Sequence, residues 1–287
     1  MQIIDCFMYF DEDLMLEVRL NTLFDHVDKF VICEATLDHS GKKKQLNFNI
    51  KKFEKFKKKI KYIVVNDLPI SVKKFKKNWH PAHCRDQFQR NALTRGFQDC
   101  EDNDLILISD LDEIPDPQKI LEFNENDKYA CFVQKNFSLK LNLYNKSEPK
   151  WFGTRMCRKK DLRSPQWLRD IKSKQYPIWR IDLLFSKKKY SNIHMVDDGG
   201  WHFSYLNTPE LIEQKLKSYT HHREYDLNPI GIDNIKKRIE NRESVYNLNV
   251  DMRKNQFSEG VSLDLMEIDE LPDYIFENKI KFKDWLD

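Results

Sequence analysis

Residues 104–115 read D-L-I-L-I-S-D-L-D-E-I-P. A continuous run of Leu and Ile suits a strand buried on both faces of a sheet. This run ends in Asp110, Asp112 and Glu113. Carboxylates packed so closely repel one another, and burying any of them without a partner costs several kcal/mol. Something must sit between them to offset that cost.

Upstream of this stretch the chain alternates. The pattern predicts a strand at Ile3–Phe7, then a helix over Asp13–Val27 with Leu16, Leu20, Leu23 and Phe24 on one face. A strand at Lys29–Glu34 follows, then a lysine-rich helix carrying Ile50, Phe53, Phe56 and Ile60 on its apolar side, and a strand at Lys61–Asn66. A helix over Cys84–Phe97 leads into the strand that ends at Ser109. Alternation with continuous apolar strands predicts an α/β fold, its central sheet mostly parallel and covered by helices on both faces.

Downstream the order is less regular. Strands are expected at Tyr129–Lys135, Phe137–Leu143 and Trp151–Arg158, with a strand pair over Ile193–Tyr205 around Gly199-Gly200. Thr208-Pro-Glu has the N-cap, N1 proline and early acid of a helix start, continued by Leu211, Leu216 and Tyr219. Asp233–Arg242 is expected as a charged helix, and Leu271–Trp285 as a segment packing back on the domain. No internal repeat or low-complexity linker divides the chain. Residues 1–287 are expected to form a single domain. It is expected to comprise a ligand-binding half (1–115), a second half that completes the site (116–220) and a helical C-terminal extension (221–287).

The composition, 40% hydrophobic and 33% charged over 287 residues, is that of a globular protein with a sizeable core. No stretch approaches the length of a membrane span. The start, M-Q-I-I-D-C-F-M-Y-F, lacks the basic region and small-residue cleavage site of a signal peptide and reads as a strand. The six cysteines are scattered with no C-x-x-C, which argues against a zinc ribbon or redox motif. Cys6, Cys33 and Cys131 lie in apolar runs as core thiols, and a reducing cytoplasm is the expected setting. The net charge is only +3, but lysines crowd 42–44, 51–61 and 73–77. A solvated helix face explains them; a surface meeting phosphates or peripherally contacting anionic membrane through Lys42–Lys77 is the alternative.

Open parallel sheets bind ligands beyond the carboxyl ends of their strands. Asp110 and Asp112 stand at one such end and Glu34 at another. The seven glycines form neither G-x-G-x-x-G nor a P-loop, so a phosphorylated ligand would be neutralised by a metal and by Lys or Arg. Aspartates at i and i+2 on a strand point the same way. Mg²⁺ or Mn²⁺ takes one or two carboxylates together with diphosphate oxygens. An ordinary turn, with Glu113 or Asp116 capping the helix after Pro117, is the bland alternative.

The same stretch resembles the D-x-D-E-I-P signature of family 17 glycosyltransferases, which include the bisecting β-1,4-mannosyl-glycoprotein N-acetylglucosaminyltransferases. The block F-D-E-D-L-M-L-E-V-R-L-N-T-L-F-D-H-V-D-K-F-V-I-C-E-A resembles that family's N-terminal helix and strand. C-R-D-Q-F-Q-R-N-A-L resembles its helix before the acidic strand, and G-G-W-H-F-S-Y-L-N-T-P-E its G-W-H block. The resemblance implies a GT-A-like nucleotide-diphospho-sugar fold and an inverting, metal-dependent transfer from UDP-N-acetylglucosamine to a glycan or lipid-linked acceptor, without nucleic acid. Animal members carry an N-terminal membrane anchor that is not legible here, which makes a finished N-glycan an unexpected acceptor.

On that reading Asp110 and Asp112 hold Mn²⁺ or Mg²⁺, and the resemblance implies that a C-terminal histidine, His202, completes the metal shell. Glu34, Arg19, Arg85, Arg90, Asp110 and Trp201 are expected at the donor. The arginine forks suit phosphate and Trp201 offers a sugar platform. The bland readings are an exposed Glu17/Arg19 pair, an Asp86–Arg90 helix salt bridge and a core histidine. The general base is expected to be Glu113, which matches the family block, or Asp198, with Asp197 beside it equally well placed in sequence. Two rivals remain: a metal-dependent phosphohydrolase or nucleotidyltransferase using the same carboxylates, and a lysine-rich polyanion or membrane-surface binder.

Overall fold

A computed structural model describes residues 1–69, 81–218, 225, 229–247 and 259–287. Strands β1 (Ile3–Met8), β2 (Lys29–Ala35), β3 (Ile60–Val65) and β4 (Leu105–Ser109) run parallel in the order β3-β2-β1-β4. On β4, Leu105 and Leu107 enter one apolar cluster while Ile106 and Ile108 enter the other. The L-I-L-I run is therefore buried on both faces, as its continuity predicts. Helix α1 (Asp13–Leu23) covers one face and α2 (Pro81–Ala92) packs on the other, near Leu93 and Phe97.

Beyond β4 the sheet changes character. Its remaining strands are β5 (Glu113–Pro115), β6 (Tyr129–Ser138), β7 (Leu143–Tyr144), β8 (Lys150–Arg158), β9 (Ile193–Val196), β10 (Gly200–Ser204) and β11 (Asp264–Leu265). The main path continues β4-β8-β6-β7-β11, every step antiparallel. The curled central sheet is thus mixed, not mostly parallel as expected. The reason is connection length: the links from β6 to β7 and from β7 to β8 are far too short for the crossover that parallel strands need.

Two further expectations change. Ile193–Tyr205 is not a paired hairpin: β9 and β10 both lie parallel to β6, one along Tyr129–Phe132 and the other along Lys135–Ser138. The lysine-rich helix is a 3₁₀ turn, Ile50–Phe56, kinked at Phe53, and Ile60 already belongs to β3. Among the shorter helices, α3 (Pro117–Ile120) is capped by Asp116, while α4 (Pro165–Asp170) is capped by Ser164. Then come α5 (Asp182–Phe185), α6 (Pro209–Ser218) and α7 (Ile232–Glu240). Leu271, Ile275 and Phe282 return to the cluster that contains α1. Lys73–Lys77 and Tyr219 lie outside the described residues. Among the described residues no helix is long and apolar enough to cross a membrane.

Candidate functional site

The carboxyl ends of β1, β2 and β4 open on a cavity of about 480 Å³. Its walls include Tyr9, Phe10 and Glu12 after β1, Asp38 and His39 after β2, and Asp86, Gln89 and Arg90 from α2. Asp110, Leu111 and Asp112 form the floor between these and Asn136, Trp151, His202 and Lys215.

The acidic stretch is a turn after the strand, so the i, i+2 strand geometry expected for Asp110 and Asp112 does not apply. β4 ends at Ser109, and the Glu113 N–H donates back to the Asp110 carbonyl at 3.1 Å. Arg19 bends it. This side chain is fully buried, grips Asp5 with both Nε and Nη2 (2.7 and 2.6 Å), and donates from Nη1 to the carbonyls of Asp110, Leu111 and Glu113. Three carbonyls collected on one guanidinium hold the chain in a tight arc. Arg19 is thus neither an exposed helix pair nor a residue lining the cavity; it shapes the turn from behind.

The counter-charge the sequence demanded is supplied by side chains. Arg169, on α4, donates to both oxygens of Glu113 (2.6 and 2.8 Å), to Asp110 Oδ2 (3.2 Å) and to the Gly153 carbonyl (2.6 Å). Glu113 also accepts from Trp151 Nε1 at 2.8 Å and the Asp110 N–H at 2.9 Å. With both oxygens so engaged and only 1% of its side chain exposed, Glu113 supports the turn and is not placed to take an acceptor's proton. Arg90 makes its helix pair with Asp86 at 2.9 Å and also reaches Asp110 Oδ1 at 3.0 Å. Burial disfavours the Asp110 carboxylate, yet Arg90 and Arg169 hold its pKa well below the usual range.

Asp112 has the opposite balance. Burial, reinforced by Asp110, Glu113 and Glu12, pushes its pKa up to about 7. Lys215 of α6 stands 3.9 Å from Asp112 and 3.0 Å from Glu12. Burial opposes the Lys215 charge, but Glu12 and Asp112 raise its pKa above the usual lysine range. Asp112 is therefore the floor carboxylate least satisfied by the protein itself.

His202 lines the cavity, 6% exposed, and stacks on Trp151 with centroids 4.0 Å apart and planes within 8°. Its Nδ1 meets Asn136 Oδ1 at 2.9 Å, and burial lowers its pKa to about 3. Strand alternation turns its neighbour Trp201 to the other face, where the indole donates to the Glu270 carbonyl at 2.7 Å. Of the two tryptophans, Trp151 lines the cavity and Trp201 does not. The preceding glycines admit backbone rather than ligand: a Cβ on Gly200 (φ +122°) would lie 2.2 Å from the Ile114 carbonyl of β5.

Three more expected residues stand elsewhere. Asp198 is solvent-exposed at positive φ in the turn before β10 and does not line the cavity. Glu34 is buried and accepts from Lys44, Tyr62 and the Asn47 and Phe48 N–H groups, fixing the loop after β2. Arg85 donates to the His39 and Pro69 carbonyls and braces that loop without lining the cavity.

No three His, Cys, Asp or Glu side chains among the described residues stand together as a cation cage. Asp110, Asp112 and His202 share the cavity without forming one. This donor set fits a hard cation that arrives with a phosphorylated ligand, held by one or two carboxylates and completed by the ligand's oxygens. Sequence reading missed Arg169, Trp151 and Lys215. Arg169 sits in S-P-Q-W-L-R-D and Lys215 among other helical lysines, with nothing local to distinguish them; Trp151, an aromatic two residues before Gly153, left a faint signal.

Residues 1–286 match the profile described as Glycosyltransferase family 17. Among curated proteins, none matches the chain.

Proposed function

The chain belongs to glycosyltransferase family 17 and is a glycosyltransferase, and from that premise we propose that it moves N-acetylglucosamine from UDP to a glycan or lipid-linked acceptor, with inversion and with Mn²⁺ or Mg²⁺, in a GT-A-like fold. The observation that carries this reading is the Asp110–Asp112 turn at the floor of the cavity, where parallel strands end. The donor and sugar rest on the family resemblance. The six cysteines, all buried and unpaired, support a cytoplasmic setting.

Asp112, with Asp110 beside it, would hold the cation, which when bound neutralises charge on the departing diphosphate. Arg90 adds a guanidinium at the same wall, already aligned by Asp86. Arg169 and Glu113 keep Asp110 in register, while Trp151 stacked on His202 offers a flat apolar surface to a sugar ring. The Asp110 pairing with two arginines fits a site built for an anion and a cation together.

The test is a panel of UDP-sugars scored for UDP release and transfer with and without Mn²⁺, in the native protein and in Asp112→Asn. Native protein should bind UDP more tightly with Mn²⁺, and the variant should lose that dependence while staying folded. Metal-independent UDP binding that Asp112→Asn leaves intact would remove the cation from this site. Release of inorganic phosphate or pyrophosphate would favour the phosphohydrolase or nucleotidyltransferase chemistry instead.

A further inference from the structure

The segment from Lys172 to Lys189 leaves the domain immediately after Arg169 and returns at Tyr190. Its base is well pinned. The Lys172 N–H donates to the Lys188 carbonyl at 2.8 Å, Trp167 Nε1 donates to the Lys187 carbonyl at 2.7 Å, and Tyr190 packs against Tyr129. Its tip is the reverse of a soluble loop. Ile178, Trp179, Ile181 and Phe185 are 83%, 79%, 73% and 84% exposed, all within eight positions. Isolated apolar residues on a surface need no explanation, but four large ones exposed within eight positions of one loop mark an interaction site.

The charge around them says what the partner is. Residues 172–189 carry six basic side chains (Lys172, Lys174, Arg180, Lys187, Lys188, Lys189) against one acid, Asp182. Arg180 and Lys189 are bound to Asp182, and Lys188 to Asp170. Lys172, Lys174 and Lys187 are exposed. A tryptophan, a phenylalanine and isoleucines projecting past a collar of lysines match the headgroup boundary of an anionic bilayer. Aromatic rings sit at that depth and lysines meet lipid phosphates. A second copy of the chain would bring the same collar of positive charge against itself, which disfavours self-association through this face.

We propose that Ile178, Trp179, Ile181 and Phe185 form a wedge that inserts into the surface of an anionic phospholipid bilayer. This is a different place and a different mode from the contact expected at Lys42–Lys77. In the described part of that stretch several lysines serve the fold: Lys52 pairs with Asp13, Lys59 binds the Phe24 and Val27 carbonyls, and Lys55 lies over Phe24 and Phe56. Leu46 is the one large apolar side chain exposed among residues 42–61. The wedge also continues directly from α4, whose Arg169 holds the cavity floor, so docking by the wedge would bring the site to the membrane. The wedge does not depend on which sugar or acceptor the site uses.

The experiment is flotation of the full chain with phosphatidylcholine vesicles, with and without phosphatidylglycerol, together with tryptophan emission. The native protein should bind the vesicles containing phosphatidylglycerol, with a blue shift that Trp179→Phe abolishes. The combined Ile178→Ser, Trp179→Ser, Ile181→Ser and Phe185→Ser variant should keep its melting temperature and lose roughly tenfold or more in partitioning. Replacing Lys172, Lys174 and Lys187 by Gln should weaken binding and flatten its salt dependence. The proposal fails if the native protein ignores the anionic vesicles or if the serine variant binds them equally well. It also fails if the serine changes instead dissolve a concentration-dependent oligomer seen without lipid.

Discussion

Arg169 is the side chain on which the acidic floor depends most. Replacing it with Met removes two bonds to Glu113, one to Asp110 and one to the Gly153 carbonyl. Asp110 retains Arg90, but Glu113 is left with only the Trp151 indole and the Asp110 N–H around a carboxylate 1% exposed. Stripping the partner from a buried charge costs about 3–5 kcal/mol, and this is the loss expected for Arg169→Met. Arg169→Lys keeps the charge but not the fork, so a loss of about 1–2 kcal/mol is expected. Glu113→Gln removes the stranded charge. Combined with Arg169→Met it should therefore restore about 2 kcal/mol, a coupling typical of groups in direct contact. Urea denaturation of the native protein, the Arg169→Met and Glu113→Gln single variants and the double variant gives the coupling directly. A coupling below about 0.5 kcal/mol would refute the reasoning, because Glu113 would then have been stabilised by something other than Arg169.

Asp112→Asn should change stability with pH in metal-free buffer. The folded pKa of about 7 lies above the ordinary value of 3.8, so the native state holds its proton longer and loses stability as pH rises between those values. The variant should match the native protein near pH 4 and exceed it at pH 8 by up to about 4 kcal/mol, less what solvent at the cavity wall screens. Lower stability of the variant at pH 8 would contradict this. Dithiothreitol should leave the melting temperature unchanged, since all six cysteines are free and buried; a clear drop would reveal a disulfide. Trp151→Leu should weaken sugar-nucleotide binding, because Trp151 lines the cavity, while Trp201→Leu should lower stability with binding retained. A calorimetric titration of each variant separates the two effects.

Much of the architecture follows from local pattern. The L-I-L-I run could only be a strand buried on both faces, and the alternation before it arranged β1 to β4 as parallel neighbours. Three acids at its end required counter-charge wherever they were buried, whatever supplied it. The scarcity of glycine was enough by itself to rule out a backbone phosphate cradle. What the chain did locally was legible because period, turn chemistry and charge act over a few residues. Tertiary structure decided who meets whom. Arg19 was visible as a residue but not as the clasp of a turn 91 positions away, and Arg169 finds Glu113 from 56 positions downstream. Whether Trp201 or Trp151 faced the cavity depended on strand parity and on which strands became neighbours. Short connections after β4 turned the path β4-β8-β6-β7 antiparallel, and the pairing of both β8 and β10 with β6 brought Trp151 onto His202. Contacts of this range depend on how the whole sheet closes, and no window of sequence contains that information.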